Sequence, residues 1–356
     1  MDYDLSPAWS VIDSAINNQI FPGAQIFISK SGHVIASESF GYHAYDENSP
    51  IVTNKSIYDV ASLTKVVSMT PVIMKLVSMK KISLKQTLDQ FYEGLESDKR
   101  GITISHLLTH SSGLKPFVEY YKLGNVDRDA MIADILKRKL DFKPGVKFQY
   151  SDLGMILLMD IVEKVTGEAL NDLSEKWIYS RIDMNNTMFN PDIELLARIV
   201  PTEYDSVFRK KMAHGFVHDE NAFLLEGVSG HAGVFSTAED LGRFGQLMLN
   251  KGSWLGNRYF RSNSVEKFTK RQNIPVGSER TLGWDTPSRN GRSSAGDFYS
   301  NNSFGHLGFT GTSIWIDPDN EIVIVFLSNR VHPTRENNRI YGIRREFHNR
   351  VMELIL

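Results

Sequence analysis

This 356-residue chain predicts an α/β fold of the α+β kind, with strands at both ends of the sequence and helices between them. Three observations lead there. The segment GAQIFISKSGHVIASESFGY (23–42) reads as two strands rich in Ile, Val and Phe about the turn Ser29-Lys30-Ser31-Gly32. The segment TSIWIDPDNEIVIVFLSN (312–329) reads as two more, about Asp317-Pro318-Asp319-Asn320. The long periodic stretches between them carry apolar residues at helix spacing. A sheet that pairs early with late strands brings the termini together and pushes the middle of the chain outward as a mainly helical lobe.

Taken in order, an amphipathic helix precedes the first hairpin, and SIYDVAS (56–62) is strand-like. Helical patterns follow in VVSMTPVIMKLVSMKK (66–81), RDAMIADILKRKL (128–140), LGMILLMDIVEKVTG (153–167) and TAEDLGRFGQLMLNKG (237–252). Pro71 lies inside the first of these, so that helix should kink or be interrupted there. After the second hairpin, NRIYGIRREFHNRVMELIL (338–356) is a periodic closing helix. The expected organisation is a single domain over 1–356, with an α/β part at about 1–60 and 280–356 and helical and cleft segments at about 61–279. At this length one core usually stops growing, so two lobes or one large domain are both reasonable.

Composition excludes several function classes. Forty basic residues against 42 acidic ones leave a formal charge of −2, so no global field favours nucleic acid or an anionic membrane. The chain has no cysteine, which removes disulfides, thiolate metal sites and a cysteine nucleophile together. The opening MDYDLSPAWS is acidic where a secretory signal is basic. No run approaches the roughly 18–20 apolar residues of a membrane span.

The chemistry-bearing pattern is S-x-x-K, which occurs at Ser62/Lys65, Ser78/Lys81, Ser112/Lys115 and Ser264/Lys267. Spacing alone does not separate these pairs; context does. Ser78/Lys81 falls where a helix runs out, Ser112/Lys115 sits in the loop THSSGLKPF, and Ser264/Lys267 lies in the polar segment RSNSVEKFTK. Ser62 instead follows a strand and opens an apolar helix, placing Lys65 one turn on, on the same face. A hydroxyl at a helix start has backbone N–H groups beside it that suit an oxyanion. Burial disfavours the charged form of a lysine, whose unperturbed pKa is about 10.4, and so makes it a better base. The plain alternative is a solvated pair in which Ser62 only caps the helix.

Two further segments supply partners. Tyr150-Ser151-Asp152 stands just before the helix 153–167; Tyr150 is either a packing residue or a phenol able to shuttle a proton. SFGHLGFTGTSIWI (303–316) carries glycines at 305, 308 and 311, which permit close approach of a substrate to the backbone. A second Gly-His-x-Gly occurs at 230–233, but the copy at 306 leads into the terminal hairpin, where a strand-edge N–H can serve as an oxyanion donor.

The ordered set Ser62-Leu63-Thr64-Lys65, Tyr150-Ser151-Asp152 and His306-Leu307-Gly308 resembles the serine β-lactamase and penicillin-binding-protein superfamily. HLLTHSSGL (106–114) and GVFSTAEDLGRF (233–244) resemble its class C branch of esterases and D-alanyl-D-alanine carboxypeptidases, and VHDENAFLLEGVSGHAG (217–233) resembles penicillin-binding-protein 4B-like hydrolases. The resemblance runs from about Phe21 to the C-terminus. It implies an antiparallel sheet from both chain ends, flanked by helices, with the active site between it and the helical lobe. It also implies that Ser62 is acylated, Lys65 activates it, Tyr150 is a second proton carrier, and the N–H groups of Ser62 and Phe309 form the oxyanion hole. Asp152, His306, Leu307 and Gly308 take substrate-binding positions. No metal or cofactor is implied; the substrate is a small molecule or peptide, and the implied compartment is the cell envelope.

The pattern departs from the members that bind β-lactams well, which often carry Asn at the place of Asp152 and Lys-Thr-Gly at the place of His306-Leu307-Gly308. The loss of a fixed charge and of a hydroxyl favours an ester or D-alanyl peptide over a penicillin-like anion, with His306 only partly protonated near neutral pH. Asp152 is expected to pair with Lys65 and keep it protonated, which shifts the role of base toward Tyr150. His106 and His110, at i and i+4, lack the glutamate of a zincin. His214, His218, Asp219 and Glu220 read as a hydrogen-bonded loop of the cleft. Met69, Met74, Met155 and Met159 fall at helix spacing as core residues. Trp254, Trp284, Tyr299 and Phe304 either line an acyl pocket or pack the core.

Overall fold

A computed structural model describes residues 3–124, 126–289 and 293–356. The principal elements are α1 (Ser6–Asn17), β1 (Gly23–Lys30), β2 (His33–Gly41), β3 (Tyr58–Asp59), α2 (Thr70–Ser78), α3 (Arg128–Lys137), α4 (Asp152–Thr166), α5 (Leu170–Trp177), β4 (Met188–Phe189), β5 (Val234–Ser236), α6 (Ala238–Leu249), β6 (Phe304–Gly308), β7 (Thr312–Asp317), β8 (Ile322–Ser328) and α7 (Ile340–Ile355).

The main sheet has the order β6-β7-β8-β1-β2, and every neighbouring pair is antiparallel. The first and last hairpins meet in the middle, with Ala24 opposite Ser328 and Ile28 opposite Ile324. The first hairpin turns on Ser31 and Gly32, both at positive φ, which suits the right-handed twist of the strands. Its turn is therefore tighter than the four residues the sequence suggests. A second sheet, β3-β5-β4, was legible only at β3, inside the strand-like SIYDVAS, because its strands are two or three residues long and carry no period.

β8 explains why both faces of the sheet are covered. Its seven residues IVIVFLS are all buried. Ile322, Ile324 and Phe326 join the core beneath α1 and α7, whereas Val323, Val325 and Leu327 join the larger core shared with the helical region. Alternate side chains of a strand point to opposite faces, so a continuous apolar run is what a doubly covered strand requires.

α6 lies within the stretch expected to form the helical lobe, yet it packs on β1, β7 and β8. It is a layer of the sheet, and the simple division at residues 61 and 279 needs that correction. Two glycines permit the approach: a Cβ at Gly242 would stand 2.4 Å from the Phe27 ring, and one at Gly245 would stand 2.4 Å from Val323. Among the described residues, no helix is long and apolar enough to cross a membrane.

Replacing Gly242 by Val should push α6 off the sheet. The expected loss is about 1–3 kcal/mol of stability, as for other overpacked interiors, read as a lower urea midpoint with an unchanged slope.

Candidate active site

β3 runs into a turn with Ala61 at φ +48°, a conformation that is rare outside glycine and stores local strain. Ser62 follows in a single 3₁₀ turn, Ala61–Leu63, whose first N–H groups have no acceptor within the turn. The chain then makes one π-helical turn, Lys65–Met69, before α2 begins with Pro71 in its first turn. The expected interruption at Pro71 thus takes the form of a π turn ahead of it, a feature common at functional sites.

The π turn and the packing of α4 and α5 against it sink Lys65 completely, at 0% exposure. Its Nζ has three oxygens at hand: Ser62 Oγ at 2.8 Å, the His231 carbonyl at 2.9 Å and Asp152 Oδ1 at 2.8 Å. The first two are hydrogen bonds and the third is an ion pair. Burial pulls the pKa of Lys65 down, but Asp152 and Tyr150 together outweigh it and the net direction is up. The pairing anticipated between Asp152 and Lys65 is present. None of the other three S-x-x-K pairs forms a Lys–Ser hydrogen bond; Lys115, for example, pairs with Asp141.

Tyr150 and Asp152 arrive together because Ser151 caps α4, its Oγ accepting from the Gly154 N–H. The Tyr150 ring lies 4.9 Å from the Lys65 ammonium, and Lys65 and Ser62 both act to lower the pKa of its phenol. Burial raises the phenol pKa more than these contacts lower it, so Tyr150 is a neutral phenol. Two imidazoles flank it, His110 at 4.4 Å and His306 at 5.9 Å between ring centroids. Burial, with help from Lys65 and Arg280, holds both histidines well below their ordinary pKa. His306 is therefore neutral, which corrects the expectation of partial charge.

β6 forms the other wall. His306 turns toward Tyr150, and its Nδ1 donates to the Leu307 carbonyl. Leu307 itself packs into the core on the opposite face, beside Tyr299 and Trp315. That placement corrects its assignment as a substrate-binding side chain, and the reason is the two-residue period of the strand. The glycines also serve a different end from the one expected. A Cβ at Gly305 would meet the Trp315 ring at 2.4 Å, and one at Gly308 would meet the Val60 carbonyl at 2.5 Å. They let β6 close on its own chain, and so bring the turn 308–312 against the Ser62 turn. Thr310 Oγ1 donates to the Asp59 carbonyl at 2.7 Å, and Thr312 Oγ1 to the Val60 carbonyl at 3.1 Å. Between them, no carbonyl among the described residues accepts from the Phe309 N–H.

The Beta-lactamase family model matches residues 10–347. The chain belongs to the Beta-lactamase family. It is 32% identical to the N-acetylmuramyl-L-alanine amidase of Bacillus subtilis, over 90% of this chain and 80% of that one. It is 30% identical to a Salmonella typhimurium protein described as "Putative D-alanyl-D-alanine carboxypeptidase", over 92% and 84%. Among solved structures, EstCE1, a hydrolase with promiscuous acyltransferase activity, superposes with a TM-score of 0.76 at 20% identity, over 98% of each chain, which is a likeness of fold.

The fold of this Beta-lactamase-family serine hydrolase also brings to Lys65 and Tyr150 residues that the motifs did not assign there. His110 packs on Tyr150 with its ring tilted by 34°, and the backbone of His231, in the second Gly-His-x-Gly, accepts from Lys65. The guanidinium of Arg280 lies 4.9 Å from the Phe148 ring and 6.0 Å from the Tyr150 ring. Its Nη1 is buried without a partner, and its nearest carboxylate is Asp285, at 3.4 Å. No local pattern marks Arg280; only the fold carries it to Tyr150. His106 caps its own helix with Thr103, so it shares no site with His110. The 214–220 segment divides as well: His214 contacts backbone carbonyls, Asp219 holds His231, and Glu220 holds Arg335. Trp284 and Phe304 pack edge to face in the main core, Tyr299 bonds His348 in the second, and Trp254 packs at the margin of the main core. Met69, Met74, Met155 and Met159 are all buried in the main core.

Replacing Asp152 by Asn removes the strongest support for the Lys65 charge and leaves burial dominant. The Lys65 ¹³Cε resonance should then titrate below the ordinary lysine value in the variant and above it in the native chain.

Proposed function

We propose that Ser62 is the acylated nucleophile of a hydrolase acting on esters or amides of the D-alanyl peptide type. The observation that supports it most is the hydrogen bond from the buried Lys65 ammonium to Ser62 Oγ at 2.8 Å, which makes that oxygen an acceptor. The serine hydrogen is then free for Tyr150. In acylation, Ser62 Oγ bonds to the substrate carbonyl carbon while its proton passes to the Tyr150 oxygen. The phenol hands its own proton to the leaving nitrogen or oxygen. Nothing net is gained or lost by the phenol, so a raised pKa is suited to the step. Water enters by the same relay in reverse and frees the acid product. Lys65 stays an ammonium and stabilises the negative charge that develops on Ser62 Oγ and on the phenol oxygen. The N–H groups of Ser62 and Phe309 take the carbonyl oxygen as it becomes an oxyanion.

The substrate class rests on the leaving-group side. A group that takes its proton from Tyr150 lies against that ring, and the nearest cation besides Lys65 is Arg280, with one unpaired N–H edge. This favours a leaving group that bears a carboxylate, as a C-terminal D-amino acid does, over a neutral alcohol. The relative described as "Putative D-alanyl-D-alanine carboxypeptidase" points the same way.

Incubation with a fluorophosphonate should add one adduct to Ser62 by intact mass, and none to Ser62→Ala; no adduct on the native chain would overturn the reading. Tyr150→Phe should lose roughly 10²–10⁴-fold in kcat, the range of a general acid–base group. Arg280→Met should raise KM for D-alanyl-D-alanine peptides about tenfold or more, equivalent to one charge-assisted bond, and leave neutral p-nitrophenyl esters within about twofold.

A further inference from the structure

The Asp59 carboxylate takes no part in the proton relay, yet it is 2% exposed and lies three residues before Ser62. Its Oδ1 accepts from the Ala61 N–H at 2.8 Å, and its Oδ2 from the His218 N–H at 2.6 Å. The first bond holds the left-handed residue that presents the Ser62 N–H. The second fixes a residue whose ring stacks on Phe309, at 5.6 Å and 28°. The Asp59 main-chain carbonyl accepts from Thr310, the residue after Phe309. On its far side the Phe309 carbonyl accepts from Arg330 Nε at 2.8 Å.

We propose that Asp59 is the positioning residue of the oxyanion hole: one buried carboxylate that sets the Ser62 N–H through Ala61 and the Phe309 N–H through His218. This rests on the reading of Ser62 and Phe309 as the oxyanion donors. The two N–H groups come from segments almost 250 residues apart in sequence, and strand pairing alone does not join them: Gly308 pairs with Thr312, and Phe309 lies in the loop between. A donor displaced by a fraction of an ångström loses much of its value to a transition state. A carboxylate, with lone pairs for both N–H groups at once, fits this connection better than an amide, which presents an oxygen to one and hydrogens to the other.

The surroundings give Asp59 a distinct titration. Burial pushes its pKa up to about 6, and the charge of Asp219 adds to that; the N–H groups of His218 and Ala61, and Arg209, act against it. His218 sits beside it but is itself held down to about 3 by burial and by Arg335 and Arg209. Because the folded pKa is raised, the folded chain binds more protons than the unfolded one between about pH 4 and 6. Asp59 therefore costs stability as pH rises through that window, whereas its ionised form is the one that accepts both N–H groups.

Steady-state kinetics of Asp59→Asn with a neutral p-nitrophenyl ester test this. The expected result is a fall in kcat of about 10–100-fold, part of the loss seen when a whole oxyanion donor is deleted, with KM within about twofold. The native profile should lose kcat as pH drops through about 6, and the Asn variant should lack that limb. The melting temperature of the variant relative to the native chain should rise between pH 4 and 7. Thr310→Val, which cuts only the bond to the Asp59 carbonyl, should lower kcat in the same sense, and serves if Asp59→Asn does not fold. A kcat within threefold of the native chain in Asp59→Asn, or in Thr310→Val if that variant stands alone, overturns the proposal. So does an Asn variant that keeps the acid limb. Failure of the native chain to label with fluorophosphonate sinks the Ser62 reading instead, which separates the two.

Discussion

A single buried charge organises this molecule. An isolated ammonium taken out of water costs several kcal/mol unless its hydrogens are met by oxygens, and Lys65 has no exposed surface at all. Its three oxygens come from three places: the nucleophile turn, the start of α4 and the loop that precedes β5. Those segments can satisfy the lysine only if the helical region and the sheet close on each other at this point. The same closure carries Tyr150 to Ser62.

The sheet answers that demand by its topology. Pairing the first hairpin with the last places β6 at the edge, and the glycines of β6 let it lie against the Ser62 turn with no side chain between. The edge is then held from behind. Arg330 grips the Phe309 carbonyl, and Arg344, 3% exposed, reaches the carbonyls of Gly308 and Thr312. Burial lowers the pKa of Arg344 to about 10, which still leaves it charged. Two cations in the interior are a poor choice for stability alone, and they sit where backbone N–H geometry matters most.

Strain and desolvation are both present in this region. Ala61 is in a left-handed conformation, Lys65 opens a π turn, Asp59 is a buried carboxylate pushed toward neutrality, and His110 and His306 keep unpartnered buried nitrogens. Each departs from what a stable core would choose, and all lie within or against the segments that build the cleft. The cores on either side of the sheet are conventional by contrast, with aromatic and aliphatic residues packed on both faces of β8. Local instability at a site supported by ordinary packing elsewhere is the expected division in an enzyme.

By itself the sequence determined the α+β class, the two hairpins, the main helices and the Ser62, Lys65, Tyr150 and Asp152 constellation. The elements and the Ser62–Lys65 pair are written in local terms, as alternation, helix spacing, turn residues and a motif whose members lie one turn apart, whereas Tyr150 and Asp152 joined that pair through the family resemblance. Tertiary structure alone decided that Leu307 faces away from the cleft while His306 faces into it, since one-residue alternation needs to know which face is covered. Packing likewise turned His306 into a neutral ring and gave α6 to the sheet, and it brought Arg280, the His231 carbonyl and Asp59 to the site, none of which the motifs had assigned there. Protonation and proximity of that kind depend on what the solvent has been removed from. No stretch of sequence carries that information before the chain has closed on itself.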